Sequence, residues 1–500
     1  MSNISDYKSI AKANILFGGV KIYTIVIGII RSKLVAVLLG AEGMGIMGLL
    51  SSTTSLVGSG TNLGLGVSAV RDVSLAQSAH DDARLSALYS SIGRLVWLTG
   101  LLGTAIVFLF AKELSCYAFA SDDYTLSFRL LSVVMLIGQL TTANQVMLQG
   151  MRKLHYLGKN TILGSTLGLL LTIPLYYLYG KRAIVASMII ASLISYFCSS
   201  YYLRKLHINK TYIPFRNILN ISKPIILLGI MLSLTSFMDV FQAYILRTYI
   251  SRIGGISEVG LYNAGYGFVT SYVGLVFSSI STDYYPRLAS VGNSPKQYNE
   301  IVNNQMELML LVLVPLVLLY LIFSKQLIVL FYTEEFKPIV LMTNLLAFGM
   351  ILRAVSWCPG FLYVAKGDKK LYLTIYIVEF SISTILYILL YHYLGLTGVG
   401  IAFVLQYIIG SCSAMIVTRI RYKYIMRRNT GEIALISIIF VGTGLVLSYI
   451  HTSFSYILMG IWIIFSILYS YKELDKRINL GSIFRNLQSK GLGKNNYNNI

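Results

Sequence analysis

Residues 254–288 read GGISEVGLYNAGYGFVTSYVGLVFSSISTDYYPRL. The stretch opens on two glycines, continues for about 25 residues with almost no charge, and ends at Asp283, Pro286 and Arg287. An apolar run of about 20 residues that stops at charged residues and a proline is typical of a membrane-spanning helix. The stretch therefore predicts one crossing of a lipid bilayer.

The opening of this stretch has a counterpart earlier in the chain. GGISEVGLYNAG resembles GAEGMGIMGLLS near residue 40, with Gly260 in the place of Gly45. Two more pairs of segments match: GMRKL at 150–154 with GDKKL at 367–371, and the aromatic segments that end at Gly180 and Gly395. The three offsets are 215, 217 and 215 residues. Three matches in nearly one register predict that the second half repeats the first.

The composition indicates a protein that lies mostly in lipid. Hydrophobic residues make up 56% of the 500 residues and charged residues 12%, whereas about a quarter of a usual globular chain is charged. The net charge of +21 does not indicate a nucleic-acid partner, because the cations lie in short loops between apolar runs rather than on one soluble face. The four cysteines have no CxxC spacing, so we expect neither a metal site nor a disulfide framework.

The apolar runs predict an all-α integral membrane protein with about fourteen transmembrane helices. We expect an N-terminal lobe at 1–210 with spans 1–6, a C-terminal lobe at 211–422 with spans 7–12, spans 13–14 at 423–471, and a cytoplasmic tail at 472–500. Each lobe starts on the same side of the membrane, so the repeats are parallel copies related by an axis along the membrane normal. Such a pair encloses a central cavity and favours a transporter over an enzyme.

The positions of lysine and arginine predict the orientation. With the N-terminus in the cytoplasm, 28 of the 41 lysines and arginines fall in cytoplasmic segments and six on the opposite side. Cations flank the cytoplasmic ends of spans, so this difference decides the topology. We expect both termini and the loop at 366–370 in the cytoplasm, and residues 121–124 on the other side.

Five segments at the ends of predicted spans carry a family resemblance. They are GAEGMGIMGLL after the first span, LQGMRKL after the fourth, VGLYNAGY opening the eighth, STDYYPRLASV closing it, and AKGDKK after the tenth. These segments resemble the O-antigen translocases, the Wzx-type flippases of lipid-linked oligosaccharides, and the resemblance covers roughly residues 8–420. It implies the fold of the multidrug/oligosaccharidyl-lipid/polysaccharide exporters, with two six-helix lobes in a V and often two further helices.

The resemblance also implies a function in the bacterial inner membrane. A protein of this family moves an undecaprenyl-diphosphate-linked repeat unit from the cytoplasmic to the periplasmic leaflet. The implied partners are this oligosaccharide, membrane lipids and, further, a polysaccharide polymerase and a chain-length regulator, with the chain itself a monomer. Catalytic residues, a metal and a cofactor are not implied.

Cations inside the predicted spans are the candidate substrate-binding residues: Lys21, Arg31, Arg129, Arg247 and Arg353. A charge at the centre of a span costs about 2.5 to 3.5 kcal/mol on insertion scales, so it needs a partner or water. A cavity lined by cations suits a diphosphate, whose oxygens accept charge-assisted hydrogen bonds. The alternative is that Lys33, Arg94 and Arg129 snorkel to the nearer membrane surface, and that the others form structural ion pairs.

Intramembrane carboxylates are the candidate ion-coupling residues: Asp239 and Glu379. Asp239 is either a coupling-ion site or a partner of Arg247 two turns later. Glu379 and Arg353 lie at depths that differ by about 6 Å, so we expect them to form an ion pair, either a substrate-operated switch or a permanent structural contact. Glu307 lies close enough to the cytoplasm to contact water.

Two other functions fit part of the sequence. A multidrug cation antiporter shares the implied fold, but we expect it to have an acidic cavity, whereas the deep charges here are mostly basic. A membrane glycosyltransferase or polymerase handles the same lipid-linked sugars, but we expect it to need a large loop with acidic catalytic residues, and the outer loops are short. A primary pump is disfavoured because the sequence has no GxxxxGK[ST] phosphate loop.

Overall fold

The computed structural model describes residues 2–208, 215–291, 294–450 and 453–478, with side chains at 18–208, 229, 233–277, 280, 283–291, 294–450 and 454–477. All regular elements in these ranges are helical, which confirms the predicted all-α class. The α-helices are α1 (Ser2–Thr61), α2 (Leu65–Ser78), α3 (Asp82–Leu109), α4 (Ala111–Phe119), α5 (Thr125–Gly150), α6 (Leu154–Tyr179), α7 (Ile184–Arg204), α8 (Phe215–Tyr272), α9 (Gly274–Ser290), α10 (Pro295–Phe331), α11 (Val340–Ala365), α12 (Lys369–Tyr422), α13 (Arg428–Ile450) and α14 (Ser453–Ile478). Short 3-10 helices at Gly180–Ala183 and Glu334–Ile339 precede α7 and α11.

Glycines break the longest helices at matching places. Gly40 in α1 (φ 66°, ψ −170°), Gly255 in α8 (φ 84°, ψ 174°) and Gly395 in α12 (φ 57°, ψ −142°) all have non-helical backbone angles. Gly180, which follows α6, has nearly the same angles as Gly395, with φ 56° and ψ −136°. Positive φ with extended ψ is open almost only to glycine, because a Cβ atom would clash with the backbone.

These glycines and the helix ends repeat at one offset of 215 residues. The offset relates Gly40 to Gly255 and Gly180 to Gly395. It also relates both ends of α5 to both ends of α11, and the start of α6 to the start of α12. The structure thus supports the internal repeat that the sequence predicts.

The predicted match of Gly150 with Gly367 is wrong by two residues. The residue equivalent to Gly367 is Arg152, and both have left-handed backbones, with φ 69° and 55°. The amide of Arg152 donates to the Gln149 carbonyl at 3.0 Å, and that of Gly367 donates to the Val364 carbonyl at 3.1 Å. The same helix-ending turn is therefore built with arginine in one half and glycine in the other, which misled a comparison of glycines.

Nine helices in the described part of the chain are long and apolar enough to cross a membrane. Three of them, Gly18–Thr61, Leu154–Arg204 and Lys369–Tyr422, contain 44, 51 and 54 residues. One crossing needs about 20 residues, so each of the three is long enough for two. The chain is a multi-pass membrane protein, and the count of fourteen spans stays a prediction.

The chain forms two compact units. One contains Met1–Ala264 and Val329–Lys337, and the other contains Gly265–Ile328 and Pro338–Ile500. The first unit has an apolar core between α2, α3, α5 and α7, in which Val73, Val96 and Met147 are fully buried. The predicted lobe boundary at 210–211 and most of the predicted tail, 479–500, lie outside the described residues, so the predicted limits of the lobes stay a prediction.

Candidate functional site

The two copies of the glycine motif pack against each other within the first unit. A Cβ atom placed on Gly45 would lie 1.9 Å from the Ile256 carbonyl oxygen, and one placed on Gly260 would lie 1.8 Å from the Ala41 carbonyl oxygen. The offset of 215 relates Gly45 to Gly260 and Ala41 to Ile256, so the contact is reciprocal. A reciprocal contact is the mark of a two-fold relation between the two motifs.

Gly48, three residues after Gly45, lies against Asn263, its own equivalent in the second copy of the motif. A Cβ atom on Gly48 would lie 1.8 Å from Nδ2 of Asn263, its equivalent at the same offset. The Asn263 Oδ1 atom accepts a hydrogen bond from Arg247 Nε at 2.7 Å. The two copies of the motif differ at this position. Asn263 in the second copy binds Arg247, whereas its equivalent in the first copy, Gly48, has no side chain.

Arg247 is held at this contact by neutral groups. Besides Asn263, its guanidinium donates to the Ala243 carbonyl at 3.1 Å and lies 5.5 Å from the ring centre of Tyr262, which is buried. The predicted alternative, an ion pair of Arg247 with Asp239, is not formed between these two described residues. Asp239 is exposed on the same helix, α8.

Arg353 lies on α11 in an aromatic setting. Its guanidinium carbon is 4.8 Å from the ring centre of Phe277 and 5.9 Å from that of Tyr407, and Nη1 is 3.8 Å from the Met350 sulfur. Cation–π contacts of this kind orient a guanidinium without neutralising it. Because Arg353 is half-buried, its charge remains available to an anion from the exposed side.

The predicted ion pair between Arg353 and Glu379 is not formed between these two described residues. The half-buried Glu379 instead accepts a hydrogen bond from Ser413 Oγ at 2.5 Å. Glu379 lies near Gly410, since a Cβ atom there would be 3.9 Å from Glu379 Oε1. Equal depth was predictable from the sequence, but the direction of the side chains around α11 and α12 was not.

The other predicted cations occupy different surroundings. On α1, Lys21 is exposed and Arg31 is half-buried. Arg129 on α5 is exposed, with its guanidinium carbon 5.9 Å from the ring of Phe108, which is itself half exposed. An arginine beside an exposed aromatic ring matches the snorkelling alternative for Arg129. The structure does not group these three side chains, and their shared role stays a prediction.

Sequence reasoning missed a buried ionic cluster in the second unit. Glu307 is 3% exposed, so the expectation that it contacts water is wrong. Its carboxylate accepts hydrogen bonds from Thr430 Oγ1 and, at 2.6 Å, from Arg477 Nε. These bonds join α10 to α13 and α14. The sequence could have predicted this cluster, because an acidic residue in an apolar run requires a cationic partner. Arg477, at the end of the last helix, is such a cation.

The connection between α12 and α13 is attached to α10 beside this cluster. Asn303 Oδ1 accepts hydrogen bonds from the Arg427 amide at 3.0 Å and from the Tyr424 hydroxyl at 3.3 Å. Burial raises the pKa of the Tyr424 hydroxyl above its usual range, because the charged form would lose its hydration. The hydroxyl therefore stays protonated and remains a donor, and the last two helices are anchored to the rest of the second unit.

Lys33 does not extend to the membrane surface as a snorkelling side chain. Its ammonium donates to the Val329 carbonyl at 3.1 Å and to the Tyr332 carbonyl, at the carboxyl end of α10. The last carbonyls of a helix lack partners and carry partial negative charge, so a lysine there is a stabilising cap. Its role is structural.

The fold is similar to that of solved membrane transporters. The lipid II flippase MurJ, in an inward closed conformation, matches with a TM-score of 0.68 at 15% identity over 92% of this chain and 99% of that chain. An inward-facing multidrug resistance transporter of the MATE family, in the MOP superfamily, matches with a TM-score of 0.67 at 15% identity over 80% and 94%. This chain therefore has the helical fold of the MATE and MurJ transporters.

Comparison of sequences gives the family. The profile of a family described as polysaccharide biosynthesis protein matches residues 34–341, and the chain belongs to that family. A Shigella flexneri protein assigned as an O-antigen transporter is 23% identical over 379 residues, which cover 74% of this chain and 88% of the relative. These relatives are transporters rather than enzymes, which confirms the prediction that this chain is not an enzyme.

Proposed function

We propose that this protein is a flippase that moves undecaprenyl-diphosphate-linked oligosaccharide units, of O-antigen or a related surface polysaccharide, from the cytoplasmic to the periplasmic leaflet by alternating access. Its family and its MurJ-like fold support transport of a lipid-linked substrate. The observation that carries the proposal is the setting of two intramembrane arginines, Arg247 and Arg353. Each contacts neutral partners among the described residues.

These arginines suit a diphosphate for a chemical reason. A guanidinium presents several N–H donors in a plane and binds phosphate oxygens through two parallel hydrogen bonds. Arg247 is preoriented by Asn263 and Ala243, and Arg353 by Phe277 and Tyr407, so little side-chain entropy is lost when the anion binds. Lys21, Arg31 and Arg129 complete the proposed set of substrate-binding cations.

We further propose that Asp239 or Glu379 carries any coupled proton or sodium ion. Ser413 donates to Glu379 and orients its carboxylate within α12. Neither carboxylate is proposed to bind the diphosphate. Replacement of both by the neutral amides Asn and Gln is expected to abolish the dependence of transport on an ion gradient.

A multidrug cation antiporter is the second candidate, because a MATE-family transporter shares the fold. A cationic drug needs a carboxylate at its binding site, whereas Arg247 and Arg353 would each repel a cation. The two proposals differ in the sign of the charge on the substrate. Export of cationic dyes by the purified protein in vesicles, with no movement of the lipid-linked saccharide, would favour the antiporter.

The direct test is deletion of the gene in its host, followed by analysis of lipid-linked saccharides in each leaflet. We expect one undecaprenyl-diphosphate-linked oligosaccharide to accumulate on the cytoplasmic leaflet and to be cleared when the wild-type chain is restored. Arg353→Gln and Arg247→Gln should clear it at about a tenth of the wild-type rate, and Arg419→Gln, an exposed arginine in the last turn of α12 and outside the proposed set, serves as the matched control. An unchanged distribution of these lipids in the deletion strain would refute the proposal.

The proposed location is the bacterial inner membrane, with both termini in the cytoplasm. The support is the bias of 28 cations to six in the predicted loops. We propose a monomer that delivers its product to a polysaccharide polymerase and a chain-length regulator. Membrane fractionation and cross-linking in the host would test these assignments.

A further inference from the structure

A cavity of about 510 Å³ lies within the first unit, between α3, α5 and α7. Its lining includes Tyr89, Arg94 and Trp97 from α3, Asn144 and Met147 from α5, and Tyr196 from α7. The volume lies within the range of about 300 to 1,000 Å³ that is typical of small-molecule sites. None of these residues belongs to the proposed set of substrate-binding cations.

One side of the cavity is polar and cationic. Arg94 is half-buried and lines the cavity. Asn144 Nδ2 donates to Ser199 Oγ at 3.0 Å and to Ser200 Oγ at 2.9 Å, which ties α5 to α7 and keeps the wall in place.

The cavity lies beside exposed apolar side chains of α3. Trp97 lies at its edge with 49% of its surface exposed, and the next residues on the same helix, Leu98, Leu101 and Leu102, are also exposed. Such a row of large apolar side chains belongs in a bilayer. A ligand with a negative charge and an apolar chain fits a cavity that is lined by Arg94 and lies beside these apolar side chains.

We propose that this cavity binds an anionic phospholipid of the cytoplasmic leaflet. Arg94 donates charge-assisted hydrogen bonds to the phosphate, and an acyl chain lies along Trp97 and Leu140. Basic pockets between transmembrane helices on the cytoplasmic side are known as sites for anionic head groups. The proposal does not rest on the transported substrate, because neither Arg247 nor Arg353 lines this cavity.

Two variants change the site in independent ways. Arg94→Gln removes the charge and keeps a hydrogen-bonding side chain of similar length. Gly93→Leu fills the cavity, because Gly93 lines it and a Cβ atom there has no atom within 4 Å. The matched controls are Arg129→Gln, an exposed arginine on α5, and Gly164→Leu, a helical glycine on α6 with equally open surroundings.

The experiment is native mass spectrometry of the purified full-length protein with added phosphatidylglycerol or phosphatidylcholine. We expect the wild type and both controls to retain one more phosphatidylglycerol than Arg94→Gln or Gly93→Leu, with about tenfold weaker binding in Arg94→Gln. Phosphatidylcholine should show no such difference. Equal retention of phosphatidylglycerol by all five proteins would overturn the proposal, whether or not the variants alter transport.

Two further ligands separate the sources of phosphate. Inorganic phosphate at millimolar concentration should not displace the bound phosphatidylglycerol, because the apolar wall contributes to binding. Displacement would mean that the site takes a free anion. Tighter retention of undecaprenyl phosphate than of phosphatidylglycerol would assign the site to the lipid of the substrate instead, and would also overturn the proposal.

Discussion

Gly45 and Gly260, which are 215 residues apart, lie against each other so closely that a Cβ atom on Gly260 would be 2.9 Å from the backbone nitrogen of Gly45. The atoms that would clash belong to the backbones of Ala41 and Ile256, which cannot move aside as a flexible side chain can. Both glycines are therefore required by contact between the two copies of one motif.

The first prediction concerns this contact. Gly260→Ala should lower the thermal midpoint of the purified protein, because overpacking against a backbone carbonyl costs about 1 to 3 kcal/mol. Gly267→Ala, also in α8 but with no atom within 4 Å of its Cβ, should leave the midpoint unchanged or raise it, since alanine is the better helix former. Equal midpoints for the two variants would show that the motifs are not in close contact.

A second prediction concerns Arg353 and Glu379. Because Arg353 contacts Phe277 and Tyr407 while Glu379 binds Ser413, the two side chains should contribute independently to transport. The changes in activation free energy, calculated from the export rates of Arg353→Gln and Glu379→Gln, should add up to the change in the double variant. The coupling energy should be below about 0.5 kcal/mol.

The charge exchange, Arg353→Glu with Glu379→Arg, provides the control for this prediction. It should not restore export at matched membrane abundance, since the cation leaves the place where the diphosphate is proposed to bind. Recovery to near the wild-type rate would mean that the two residues pair during the transport cycle.

A third prediction concerns the attachment of the last two helices. Arg477→Gln leaves the buried carboxylate of Glu307 without its cation, and breaking a buried pair in this way costs about 3 to 5 kcal/mol. The thermal midpoint should fall by several degrees, and the second substitution Glu307→Gln should restore most of the loss. Arg428→Gln, which removes an exposed pair with Glu432, should have little effect. A midpoint of Arg477→Gln that matches the control would contradict the structural role of the pair.

The fourth prediction concerns topology. Single cysteines at two exposed positions, Asp122→Cys and Lys370→Cys, are introduced after the native cysteines have been replaced. A membrane-impermeant thiol reagent should label position 122 in intact cells and position 370 only after the membrane is opened, because the cation bias predicts a cytoplasmic loop at 366–370. Labelling of position 370 in intact cells would reverse the predicted orientation.

The sequence by itself determined the class of the protein and its internal repeat. Apolar runs and charge distribution are read along one dimension, and the burial of backbone polar groups in lipid leaves helices as the simplest solution for such runs. The repeated glycines at 40, 180, 255 and 395 could also be identified from the sequence, because a backbone with positive φ and extended ψ requires glycine at that position. The predicted match of Gly150 with Gly367 was wrong because it relied on glycine alone. Arg152 takes the left-handed backbone that glycine takes at position 367.

Only the tertiary structure decided which side chains meet. The sequence gives the depth of Arg353, Glu379 and Glu307 along their helices, but not the rotation of each helix about its axis, and that rotation selects the partner. The observed partner of Glu379 is therefore Ser413 rather than the predicted Arg353. The observed partner of Glu307 is Arg477, 170 residues away. The cavity beside Arg94 arises in the same way, because it exists only where three helices from separate parts of the chain pack together.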